Sequence, residues 1–209
     1  MIKTTVSAEV PDWERERALR PWDPPRRLLG SIRRYQHWRQ RAGLIARLVQ
    51  KASVLEHRFW SVVTASDIPL NGQLGGGLVL LHPTGVVVHP EAVVGPNCVL
   101  MQQVTLVGGV RLGGHVDIGA GAKVVRPVTI GAHAKIGANA VVLNDVPAGA
   151  TVVGVPARVV RQDAAVAAAY GVAVPAPRSI TQEVDVPWYE PAGDNDGNES
   201  SASEAVKRA

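Results

Sequence analysis

The sequence is poor in cysteine, in aromatic residues and in long apolar runs. Its one cysteine, Cys98, leaves no partner for an internal disulfide. Cys98 falls at a small interior position of the repeat described below, so it reads as a buried apolar residue rather than a nucleophile. Phe, Trp and Tyr make up 4% of the 209 residues, and none stands between Leu74 and Val153. A core built there must be narrow and aliphatic. No apolar run approaches the ~18 residues of a membrane span. No signal peptide is recognisable at the start, so a cytoplasmic protein is expected. The formal net charge of +4 is modest and unevenly placed, which gives no ground for a nucleic-acid partner.

What the chain does have is a period of six. Steps of six from Val88 meet Val94, Leu100, Leu106, Leu112, Ile118, Val124, Ile130, Ile136 and Val142 without a gap. Four places after each stands a small or β-branched apolar residue, from Ala92 and Cys98 through to Val146. Gly often follows the aliphatic, as in Val94-Gly95 and Ile118-Gly119. A helix of 3.6 residues per turn cannot keep such a repeat on one face. A plain alternating strand would not separate one aliphatic from one small position either. A β-solenoid satisfies both: each hexapeptide gives one short strand and one corner, and three of them close a triangular coil. The chain is therefore expected to be mainly β, a parallel β-helix carrying a short α-helical region before it and a disordered tail after it.

In chain order, residues 1–25 are polar and proline-punctuated, and are expected to be mobile or draped on a neighbour. Residues 26–66 have helical spacing. Leu28, Leu29, Ile32 and Tyr35 form one face, and after a break at Gly43 so do Leu44, Ile45, Leu48, Ala52, Leu55 and Phe59. This region is strongly basic, with Glu56 as its lone acid. A solvated face, attraction to an anionic substrate and contact with a membrane surface all accommodate that charge. The solenoid is expected over 67–160, a short capping helix over 161–172 and disorder over 173–209.

Leu74-Gly75 and Leu80 fall two residues out of phase with the later coils, and Leu81-His82-Pro83-Thr84-Gly85 absorbs the difference. An irregular corner on an otherwise regular spring is a place to look for function. Residues 18 apart should stack, so the phase shift gives a column of His82, Gln102, Ala120, Ala138 and Pro156. That column is an imidazole at one end of a shallow track roughly 15 Å long at a coil spacing of about 4.8 Å. It suits a thin, extended ligand. An imidazole, with an ordinary pKa of about 6.5, can take a proton from a hydroxyl. It can equally be a solvated or structurally bonded side chain.

His82-Pro83-Thr84-Gly85-Val86-Val87-Val88, Gln103-Val104-Thr105-Leu106, Ile118-Gly119-Ala120-Gly121-Ala122-Lys123, Lys135 to Val142 and Gly154-Val155-Pro156-Ala157-Arg158 together resemble the serine O-acetyltransferases, over about Asp67 to Val160. These are hexapeptide-repeat acyltransferases. The resemblance implies a left-handed solenoid, assembly as a homotrimer or a dimer of trimers, and acetyl-CoA bound between neighbouring solenoids as co-substrate in cysteine biosynthesis. It gives His82 the role of general base. Asp67 and Gln102 are the candidates for holding the acceptor. Gly108, Ala120, Lys135, Ala138 and Pro156 are the candidates for the CoA track, with Lys135 facing its phosphates.

The chain also departs from that pattern. Gly109 stands where the family carries a second active-site His, and Leu81 stands where it carries an Asp. Both losses touch the acceptor side, so a sugar or polysaccharide hydroxyl is the alternative to serine. The terminal Val206-Lys207-Arg208-Ala209 lacks the Ile that docks into cysteine synthase, so no such complex is expected. Solenoid carbonic anhydrases would need three imidazoles on one ion. His115 and His133 share one corner while His82 and His89 lie elsewhere, so no metal is expected. A scaffold without catalysis is the remaining reading.

Overall fold

The period of six becomes three parallel sheets, one per side of a triangular coil. The computed structural model describes residues 6–172. One sheet stacks β1 (Gln73–Leu74), β4 (Val93–Val94), β7 (Arg111–Leu112) and β10 (Thr129–Ile130). The next stacks β2 (Val79–Leu81), β5 (Val99–Met101), β8 (Asp117–Ile118), β11 (Lys135–Ile136) and β13 (Ala150–Val153). This sheet ends in β14 (Arg158–Gln162), which is antiparallel to β13. The third stacks β3 (Val87–Val88), β6 (Thr105–Leu106), β9 (Lys123–Val124) and β12 (Val141–Val142). All ten aliphatics of the repeat are buried, with the small residues four places on beside them. Cys98 is one of those, its Sγ 3.2 Å from the Gly113 carbonyl, and burial pushes its thiol up to about 11.

The coil length changes twice. Val79 pairs with Val99, twenty residues on, whereas Val99 pairs with Asp117 and Asp117 with Lys135, eighteen on. The last coil is shorter again, Lys135 pairing with Thr151. At its shortened corner the Asp145 carboxylate accepts the Thr129 N–H at 2.7 Å, standing in for a main-chain carbonyl. The foot of the expected column is thereby corrected: Gly154, not Pro156, follows Ala138. Antiparallel β14 then covers an edge that would otherwise offer unpaired N–H and C=O groups. Helix α3 (Ala164–Ala169) begins at the Asp163 cap and lies against Gly149.

At the other end, α1 (Pro24–Arg39) starts on two prolines, which suit a first helical turn. It buries Leu28, Leu29 and Ile32 against the first coil. The Arg33 guanidinium donates to the Leu74 and Gly75 carbonyls at 2.6 Å each and pairs with Glu16 at 2.8 Å. Helix α2 (Leu44–Thr64) follows Gly43, whose φ of 107° turns the chain back. The apolar face read from the sequence is not the one that α2 buries. Ala46, Ser53, Trp60 and Thr64 are buried, whereas Leu44, Ile45, Leu48, Ala52, Leu55 and Phe59 face outward. Ala46 and Ser53 are small enough for α1 to approach closely, and the Ser53 hydroxyl is satisfied by the Val49 carbonyl at 2.8 Å.

Residues 6–23 also differ from expectation, because they are strapped to the solenoid's own corner. The buried Asn97 side chain accepts from the Asp12 N–H at 2.8 Å and donates to the Ser7 and Val10 carbonyls at 2.7 Å each. A Cβ on Gly114 would overlap the Ala8 carbonyl, so only glycine lets the strap lie this close. The tail expected to be disordered, 173–209, lies outside the described residues.

Candidate active site

The irregular corner is built from two extra residues. Buried Leu80 and Val86 bracket it, whereas Ile118 and Ala122 bracket the regular corner two coils on. Leu81 lies beside Met101, which continues in strand register to His82 beside Gln102, as the sequence arithmetic gives. The turn register differs. Gln103 N–H donates to the Thr84 carbonyl, just as Gly121 N–H donates to Gln102 and Asn139 N–H to Ala120. Thr84 therefore tops the backbone column, and His82-Pro83 are the inserted pair. Pro83 turns inward and is buried, while His82 has a φ of 51° and projects outward, exposed.

His82 borders a cleft of about 370 Å³ between the first coil, α1 and the strap. Its walls are Pro24, Leu29, Thr64 and Thr84, and Arg15 and Arg26 lie on its rim. Both guanidiniums are held in place. Arg15 donates to the Asn97 carbonyl at 2.6 Å, and Arg26 pairs with Asp23 at 3.0 Å. Sequence reasoning missed these two arginines: residues 1–25 carry no pattern that would dock Arg15, and Arg26 reads only as part of the basic helical region. Leu81 points outward beside His82, apolar where the resemblance expects a carboxylate.

The other candidates fall in three places. Gln102, Ala120 and Ala138 run down the column below the cleft, none of them buried, so the track is open along its length. Asp67 pairs with Val87 above the third sheet, at the next side of the coil, and does not line the cleft. Gly108 lies at the corner opposite, against His89 and Glu91. Lys135 stands on the outer face of the sheet that leads to the His82 corner, 3.9 Å from the Asp117 carboxylate. It lines a second cleft of about 500 Å³ with His115, His133 and Tyr170. There the two imidazoles meet Nδ1 to Nδ1 at 2.8 Å, and burial is the main cause holding His115 below its ordinary range. Among the described residues no third His, Cys, Asp or Glu joins them in a metal-sized group.

Stacked hexapeptide coils, an inserted imidazole and a bare track below it make up a hexapeptide-repeat β-solenoid. In sequence and fold the chain is similar to serine acetyltransferases. It is 42% identical over 137 residues to the serine acetyltransferase of Mycobacterium tuberculosis, covering 62% of this chain and 58% of that one. The Escherichia coli K12 enzyme is 43% identical over 108 residues, 48% of this chain and 40% of that one. A serine acetyltransferase solved in complex with CoA superposes with a TM-score of 0.56 at 35% identity, over 66% of this chain and 57% of that one. The soybean enzyme complexed with serine gives 0.53 at 37% identity, over 64% and 56%. No protein-family model matches. The chain thus spans less than two thirds of the length of these relatives.

Proposed function

We propose that the protein transfers the acetyl group of acetyl-CoA to the hydroxyl of L-serine, giving O-acetyl-L-serine and CoA. One observation carries this: His82 is inserted at the single widened corner of the solenoid, exposed beside a cleft and at the head of an open small-residue track. The likeness to serine acetyltransferases, one solved with CoA and one with serine, supports the donor and the acceptor.

In this reading the CoA arm lies along Gln102, Ala120, Ala138 and Gly154, and Lys135 on the adjoining sheet face meets its phosphates. The His82 imidazole removes the serine hydroxyl proton as the oxygen attacks the thioester carbonyl. A backbone N–H at the corner holds the oxyanion of the tetrahedral intermediate. Collapse breaks the C–S bond, and the imidazolium returns its proton to the departing thiolate. Arg15 and Arg26 on the cleft rim suit the serine carboxylate. A homotrimer or a dimer of trimers would wall the track with a neighbouring solenoid, and with acetyl-CoA as donor the cytoplasm is where it would work, feeding cysteine synthesis.

A sugar hydroxyl is the second reading, favoured by outward-facing Leu81 and by Gly109, whose corner has no room above Pro127 for a side chain. Thiol release from acetyl-CoA with L-serine and with a panel of sugars separates the two. Turnover of serine is expected. Turnover of a sugar alone would move the assignment to the second reading, and none with either would remove both.

A further inference from the structure

Helix α2 turns its most apolar face away from the protein. At about 100° per residue, Leu44, Leu48, Leu55, Phe59 and Val62 fall in one strip, and their exposure runs from 54% at Phe59 to 81% at Val62. Along one edge of that strip run Arg47, Lys51 and Arg58, all exposed, and among the described residues none has a carboxylate within ion-pair distance. With Tyr35 and Leu55 these three cations line a groove of about 500 Å³ between α1 and α2. Near the far end of the strip Phe59 and exposed Trp22 both pack edge-on against Trp60, at 4.9 and 5.4 Å between ring centres. No helix among the described residues is long and apolar enough to cross a membrane.

We propose that this face docks on the surface of an anionic membrane, with α2 lying in the plane of the interface. The apolar strip would enter the acyl boundary, Trp22 would sit at headgroup depth, and the groove cations would meet lipid phosphates. Charge decides against a second copy of the chain on the same face. A twofold axis across α2 lays the cationic stripe along itself. A twofold axis parallel to α2 offers it only Glu56, which Arg34 already holds. A phosphate-rich surface meets only Glu56 as a like charge near this face, already neutralised by Arg34, and supplies the missing counter-charge.

The test is co-sedimentation of the full chain with vesicles of phosphatidylcholine alone and of equimolar phosphatidylcholine and phosphatidylglycerol. Binding is expected to the anionic vesicles, weakening as salt is raised and not displaced by inorganic phosphate at matched ionic strength. Each of Arg47→Gln, Lys51→Gln and Arg58→Gln is expected to weaken it about fivefold. Phe59→Ser is expected to weaken it roughly tenfold or more. Equal binding to both vesicles, or to neither, would overturn the proposal. So would a loss of oligomer mass by light scattering in a Leu55→Ser, Phe59→Ser double variant, which would show the face covered by another copy. Because wild type alone answers the lipid and salt comparisons, the proposal stays open to refutation if a variant misfolds.

Discussion

Replacing Asn97 by Ala should release the N-terminal strap, and the cost can be worked from the structure. The buried amide makes three hydrogen bonds to strap main chain, at 2.7 to 2.8 Å. At about 0.5–1.5 kcal/mol net for each bond, their loss costs about 1.5–4.5 kcal/mol. Asn97 also has a φ of 59°. Asn tolerates that left-handed conformation better than Ala, which adds roughly 1 kcal/mol. For a chain of this size the total corresponds to a fall in Tm of about 5–20 °C. Asn97→Gly removes the same bonds without the backbone penalty, so it should fall less. The strap carries Arg15 to the cleft beside His82, so both variants should also raise KM for the acceptor. Calorimetry reads the fall in Tm, trypsin cleavage at Arg15 and Arg17 the release of the strap, and steady-state kinetics the KM. A Tm within about 1 °C of wild type, with cleavage no faster, would refute the strap.

Three further outcomes follow from burial and charge. Cys98, with its thiol pushed up to about 11, should stay unreactive to thiol reagents at pH 8 until the protein unfolds. Because that value is raised above the unfolded 9.0, its contribution to stability is complete below pH 9 and is lost as pH climbs toward 11. His115 is held low mainly by burial, so its contribution is present above pH 6.5 and is lost as pH falls through its folded value. An NMR titration should find its midpoint below 6.5, and a midpoint at or above that value would contradict the burial argument. Lys135→Ala should raise KM for acetyl-CoA about five- to tenfold with kcat little changed, as removal of one phosphate contact implies. An unchanged KM would assign Lys135 to the His115–His133 cleft instead.

The coil was legible because one aliphatic in six is a pattern no helix or flat strand can keep. The His82 corner was legible for the same reason, as a break in that pattern. The foot of its column was not, because Asp145 closes a shortened corner with a side chain, and period counting runs straight through it. The only sign was the loss of Gly around Asn144-Asp145-Val146. The strap was hidden because Asn97 reaches residues about ninety places earlier, which no local spacing records. Which face α2 buries was not legible because it has two candidates. The weaker-looking one, built on Ala46, Ser53, Trp60 and Thr64, is the one that lets α1 come close.

The central claim is that the His82 ring does the proton transfer. Its most direct test is steady-state thiol release from acetyl-CoA by His82→Ala, with serine as acceptor and the fold checked by circular dichroism. A kcat lower by about 10²–10⁴-fold is expected, with KM for acetyl-CoA nearly unchanged. A variant that folds and turns over at the wild-type rate would contradict it.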